Sequence, residues 1–171
     1  GIVKWVFEII VTLVFAVLVA ISAFQTVTLQ ESAMEPTYSV SEKFFVNRAL
    51  YKVSSPKRGD VIVFKTSASD SAALHIRRVI GLPGETVQVK DGKIYINGKV
   101  YEENGAYQDM TDGGLANSAI TLESEEYFVL GDNRNNSEDS RFSDIGNISK
   151  KYIVGKVWFT VSPKNKIGFI K

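Results

Sequence analysis

Residues 86–98 read Thr86-Val87-Gln88-Val89-Lys90-Asp91-Gly92-Lys93-Ile94-Tyr95-Ile96-Asn97-Gly98, or TVQVKDGKIYING. Apolar and polar residues alternate on both sides of Asp91-Gly92, the period of a half-buried strand. An Asp-Gly connection between two such runs predicts a hairpin, because a type I′ turn needs positive φ at both central residues. Asn97-Gly98 repeats the signal. Working outward, Asp60–Lys65 (DVIVFK) and His75–Ile80 (HIRRVI) are short β-branched runs, and Gly81-Leu82-Pro83-Gly84 breaks the chain after the second. Tyr127–Leu130 and Tyr152–Val161 supply further core strands. After residue 25 no long stretch keeps a helical period, and no internal repeat is visible. Residues 104–124 are polar and turn-rich and read as a long loop or poorly ordered ribbon. Many short strands of this kind predict an all-β body, a coiled or barrel-like sheet.

The amino-terminal part is different. Trp5–Phe24, WVFEIIVTLVFAVLVAISAF, carries one charge, Glu8. Twenty residues at about 1.5 Å rise cover roughly the hydrocarbon thickness of a bilayer. A buried core helix and a cleavable secretion signal have similar composition, but a signal's apolar part is usually shorter, about 7–15 residues. The segment is therefore read as a retained single-pass anchor. Lys4 flanks its first end and no basic residue lies between Gln25 and Glu42, so the terminus is expected in the cytoplasm and the β body outside.

Composition excludes several chemistries. With 20 basic and 19 acidic residues, the chain has no nucleic-acid footprint. Without cysteine it has no thiol nucleophile and no disulfide, and one histidine, His75, makes no multi-histidine metal centre. No loop has calcium-ligand spacing. No metal and no cofactor are expected. A hydrolase built from these residues needs a Ser/Lys or carboxylate mechanism.

Four stretches occur in order behind the anchor: Ala33-Met34-Glu35-Pro36-Thr37, Arg58-Gly59-Asp60-Val61-Ile62-Val63-Phe64, Arg77-Arg78-Val79-Ile80-Gly81-Leu82-Pro83-Gly84-Glu85, and Gly131-Asp132-Asn133-Arg134-Asn135-Asn136-Ser137-Glu138-Asp139-Ser140-Arg141. Together they resemble the type I signal peptidases, membrane-anchored serine proteases with a serine–lysine dyad. The resemblance runs along nearly the whole chain. It implies an anchor over residues 1–24, a β core from 25–83 and 125–171, and a β-ribbon insertion over 84–124. In that family a serine attacks the scissile carbonyl after a neutral lysine takes its proton, and a further serine orients the amine.

Carried onto this chain, the nucleophile position holds Ala33, the base position Arg77 and the orienting position Ser137. A methyl group has no lone pair, and a guanidinium stays protonated at any workable pH. Two residues before Ala33 stands Glu31, where some members place an oxyanion donor. Ser32 is expected to point away along an extended segment. His75 shares a strand face with Arg77 and reads as a surface or packing residue. The resemblance pairs Arg78 with Asp132 and Asp139 with Arg141 as scaffold. Leu29, Met34 and Ile76 are expected to form walls for a bound polypeptide, with core packing as the alternative.

Two functions follow. In the first, the chain binds extended segments of exported precursor or pilin polypeptides and assists their surface assembly, with Arg77 either contacting the bound chain or pairing with Glu31. In the second, it is a signal peptidase whose dyad was replaced by engineering. A purely structural anchor is a third reading, one that binds no polypeptide specifically.

Overall fold

The computed structural model describes residues 1–170. One long helix, α1 (Ile2–Ala23), is followed by a body of short strands. These are β1 (Phe24–Thr28), β2 (Lys43–Asn47), β3 (Val61–Phe64), β4 (His75–Gly81), β5 (Thr86–Lys90), β6 (Lys93–Ile96), β7 (Lys99–Val100), β8 (Ile120–Thr121), β9 (Glu126–Leu130), β10 (Ile148–Ser149), β11 (Ile153–Ser162) and β12 (Gly168–Phe169). A four-residue helical turn, α2 (Leu50–Val53), lies between β2 and β3.

No residue of α1 is buried, and only its last turn meets the body. Its leucines, valines and phenylalanines are exposed along its whole length, and it is long and apolar enough to cross a membrane. A helix apolar all round and unpacked by protein needs lipid to cover it.

The body is an antiparallel eight-stranded sheet, β1-β2-β11-β3-β4-β9-β10 with β12 on β11, and a four-stranded sheet, β7-β6-β5-β8. The hairpin predicted at Asp91-Gly92 joins β5 to β6, with φ of 51° and 75° at the two turn residues. Asn97-Gly98 turns β6 into β7 with φ of 50° and 78°. β3 explains its unbroken apolar run, since both of its faces are buried. Val61 and Val63 pack with Val27, Phe44, Val46 and Ile76, while Ile62 and Phe64 pack with Val79, Tyr127 and Val129. A further cluster, with Ile80, Val87, Val89, Leu122, Phe128 and Leu130, joins the two sheets.

Residues 104–113 run as the expected loop, but the rest of the 104–124 segment is more ordered than a loose ribbon. Gly114–Asn117 forms a 3-10 turn and β8 pairs with β5 through Thr86–Thr121 and Val87–Ile120. Ala116 and Leu122 are the reason: both are fully buried between the sheets. Two small apolar contacts order a stretch that is polar on average.

Candidate active-site cleft

Immediately after β1 the chain turns through a 3-10 helix, Ser32–Met34. Met34, fully buried in the first core cluster, pegs this turn to the sheet. The carbonyl of Ala33 accepts the Asn133 N–H at 2.9 Å, and Asn133 Nδ2 donates to the Ser32 carbonyl at 3.1 Å. The turn at 131–133 is itself clamped to β4, where Arg78 grips Asp132 with Nε and NH2 at 2.8 and 2.7 Å. One strand thus supplies two adjacent arginines. Arg78 holds the scaffold, and Arg77 faces a cavity of about 750 Å3.

Ala33, Arg77 and Ser137, three positions separated by 44 and 60 residues in sequence, meet in the lining of that cavity. Glu31, Ser32, Asn136 and Asp144 line it too. Ser137 Oγ is enclosed yet has no hydrogen-bond partner among the described residues. Gly131 lies beneath it, and a β-carbon there would overlap both Ser137 Oγ and the Ala33 carbonyl. Only glycine lets these backbone segments approach so closely.

The Arg77 guanidinium is 2% exposed and committed in three directions. Nε donates to the Glu138 carbonyl at 2.8 Å, NH1 to the Ile76 carbonyl at 2.7 Å, and NH2 lies 2.6 Å from Glu31 Oε2. The other Glu31 oxygen is 2.8 Å from His75 Nδ1. His75 is thus a partner of the cleft carboxylate, in addition to stacking on Phe64. Its reach follows from the two-residue strand period that places it beside Arg77.

Burial by itself would raise the Glu31 carboxyl, but the His75 hydrogen bond and the Arg77 charge outweigh it and hold the pKa at about 2, against an ordinary 4.5. A depressed carboxylate contributes stability in full above its unfolded value and loses it on protonation. Thermal melts should therefore show stability falling between pH 4.5 and about 2. In Glu31→Gln the same window should be flatter.

Two expectations need correction. Ser32 does not point away from the cleft, because the backbone at 32–34 is a 3-10 turn rather than extended. Both Ser32 and Ala33 line the cavity, and Asn136 Nδ2 approaches Ser32 Oγ at 3.4 Å. Leu29, Met34 and Ile76 lie in the first core cluster beneath the cleft, at 2%, 0% and 3% exposure, not in its lining. Their side chains face inward to close the sheet.

Asp139 and Arg141 form the second expected pair, with Nε–Oδ1 and NH2–Oδ2 both at 2.9 Å. Asp139 Oδ2 also accepts the Gly131 N–H at 3.1 Å. A further pair beside the cleft was not anticipated: Arg134 binds Glu103 through both terminal nitrogens, at 2.5 and 2.6 Å, and lies 4.2 Å from the Tyr107 ring centroid. Its Nε donates to the Gly131 carbonyl at 3.0 Å, so the 101–110 segment is tied directly to the cleft. Glu103 sits in a polar, aperiodic stretch, and nothing local marks it.

The family described as "Signal peptidase, peptidase S26" matches residues 2–162. The chain is 32% identical to signal peptidase I P of Bacillus subtilis subsp. natto, over 100% of this chain and 95% of that protein. It is 36% identical to a signal peptidase I of Bacillus amyloliquefaciens, over 98% and 91%. A solved signal peptidase I from Enterococcus faecalis V583 is 31% identical, covering 61% of this chain and 98% of that one, with a TM-score of 0.49. A membrane-length helix before a curled β body with a cleft at its strand ends defines the class. The chain belongs to the signal peptidase, peptidase S26 family.

Proposed function

We propose that the protein is a signal-peptidase-like membrane protein, silent in hydrolysis, that holds extended segments of exported precursor or pilin polypeptides and assists their assembly at the surface. Ala33 and Arg77 both line the cleft, at the positions where the family's chemistry needs a hydroxyl and a neutral amine. Neither group can attack or accept a proton. In this reading α1 anchors the chain in the plasma membrane with its amino terminus inside and the β body outside. No metal or cofactor takes part.

The cleft suits an extended chain. β4 pairs with β3 from His75 and with β9 only from Arg78, so its first residues lack a ladder partner on that side among the described residues. A bound strand adds there through main-chain hydrogen bonds. Arg77 NH1 meanwhile occupies the Ile76 carbonyl and stands in for the donor of an absent strand. Three acceptors in three directions match the planar fork of arginine rather than the point charge of lysine. That match favours arginine as the natural residue over the engineered reading.

The test is fluorescence anisotropy of the full chain, in micelles, with peptides spanning the processing region of exported precursors or pilins. Ala33→Phe places a ring in the cavity and is expected to weaken binding by about tenfold or more. If no such peptide binds, or if Ala33→Phe binds equally well, the reading fails.

A further inference from the structure

The carboxyl-terminal end of α1 meets a second cavity, of about 410 Å3, that shares no lining residue with the cleft. Ser22 from the helix, Arg48 and Lys52 from the segment after β2, and Lys150 from the start of the turn before β11 line it. Three cations face this space, and no carboxylate among the described residues lines it. Among the described residues none of the three lies in an ion pair. Asp60, the carboxylate bonded to neighbouring Tyr51 at 2.7 Å, is already occupied by Lys156, also at 2.7 Å.

Arg48 gives the feature its built character. Its NH2 donates to the Ser22 carbonyl at 2.8 Å and approaches that of Ile21 at 3.4 Å, while its own backbone N–H donates to Ala23. The guanidinium is therefore fixed to the last turn of the helix. Its Nε is enclosed and has no acceptor among the described residues. The permanent charge fixed there meets no carboxylate in the cavity lining among the described residues, and an anion in the cavity offsets it.

The same helix end borders an apolar hollow of about 400 Å3 formed by Ala20, Ile21, Phe24, Phe45 and Trp158. Phe24 and Trp158 pack at 5.1 Å between centroids, and Trp158 remains 39% exposed. Aromatic rings of this kind sit at headgroup level, and basic side chains beside them attract anionic lipid. Apolar and cationic hollows at one helix end match the two halves of one molecule.

We propose that Arg48, Lys52 and Lys150 bind the phosphate of an anionic phospholipid whose acyl chains run along α1 past Phe24, Phe45 and Trp158. The site seats the body on the membrane at the exit of the helix. It requires only that α1 spans the bilayer and is independent of whether the cleft holds polypeptide.

The experiment is native mass spectrometry of the full chain released from nanodiscs containing phosphatidylcholine and phosphatidylglycerol in equal parts. The wild type is expected to retain one phosphatidylglycerol in preference to phosphatidylcholine. Lys52→Gln/Lys150→Gln should reduce that preference by about 25-fold, roughly fivefold for each lysine. Lys90→Gln/Lys99→Gln removes the same charge from the small sheet and should leave it unchanged. Arg48→Gln is expected to abolish retention, and the lysine pair carries the test if that variant fails to fold. Equal loss in the control pair would reduce the effect to net charge and overturn the site. Displacement of the lipid by excess inorganic phosphate would make it a free-phosphate site and overturn the lipid assignment. Equal retention of both lipids by the wild type would also overturn it.

Discussion

Ala33→Ser/Arg77→Lys should cleave a precursor peptide only feebly, and adding Glu31→Ser should raise the rate by about a hundredfold. Restoring a hydroxyl and an amine is insufficient if the amine stays protonated. A lysine at 77 would lie beside Glu31, whose carboxylate is now 2.6 Å from the guanidinium and held at a pKa of about 2. A unit charge about 4 Å away is worth about 4 kcal/mol at an effective dielectric of 20. Glu31 is one-third open to water, so screening removes part of that. What remains, about two pKa units, favours the ammonium and empties the base of its function. The carboxylate would also oppose an oxyanion forming near residue 33. Single-turnover cleavage of a fluorogenic precursor peptide reads the result. A double variant that already works at the rate of the triple would show that Glu31 does not restrain the site, and would favour a signal peptidase with two engineered positions.

Asp139→Ala, beneath the cleft, should cost about 3–5 kcal/mol because it strands a buried cation. For a chain of this size that lowers the melting temperature by roughly 6–20 °C, at about 2–4 °C per kcal/mol. The physical reason lies in what Asp139 holds together. It is fully buried, neutralises Arg141, which is 2% exposed, and accepts the Gly131 N–H beneath Ser137. Arg141 in turn donates to the carbonyls of Asp112 and Arg134, at 2.9 and 2.7 Å. Removing both charges, as in Asp139→Leu/Arg141→Met, should return a large part of the loss, because no buried charge is then left unpaired. Melts monitored by circular dichroism in micelles compare the variants. A loss in the double variant as large as in Asp139→Ala would mean that the pair matters for its hydrogen bonds rather than its charge.

Sequence and structure divide along a physical line. Local rules made the small sheet readable. Positive φ at Asp91-Gly92 and Asn97-Gly98 is a property of those residues, and alternation around them assigns the faces. The anchor was equally legible, since its length and composition need no partner to interpret. The pairs Arg78–Asp132 and Asp139–Arg141 followed from motif resemblance, with nothing local to demand them.

What tertiary structure alone decided is where nonlocal groups meet. Arg77 alone offers two plausible partners, a bound chain or Glu31. Folding placed the carboxylate against the guanidinium and His75 against its other oxygen. The 3-10 turn at Ser32–Met34 is set by Met34 filling the core, and it turns Ser32 into the cleft. Glu103 reaching Arg134, and the burial of Ala116 and Leu122 between the sheets, depend on contacts that a polar, aperiodic stretch does not encode locally. Backbone preference and apolar period are written residue by residue. Charge pairing across a fold depends on which residues the packed core leaves close enough, and dry enough, to need one another.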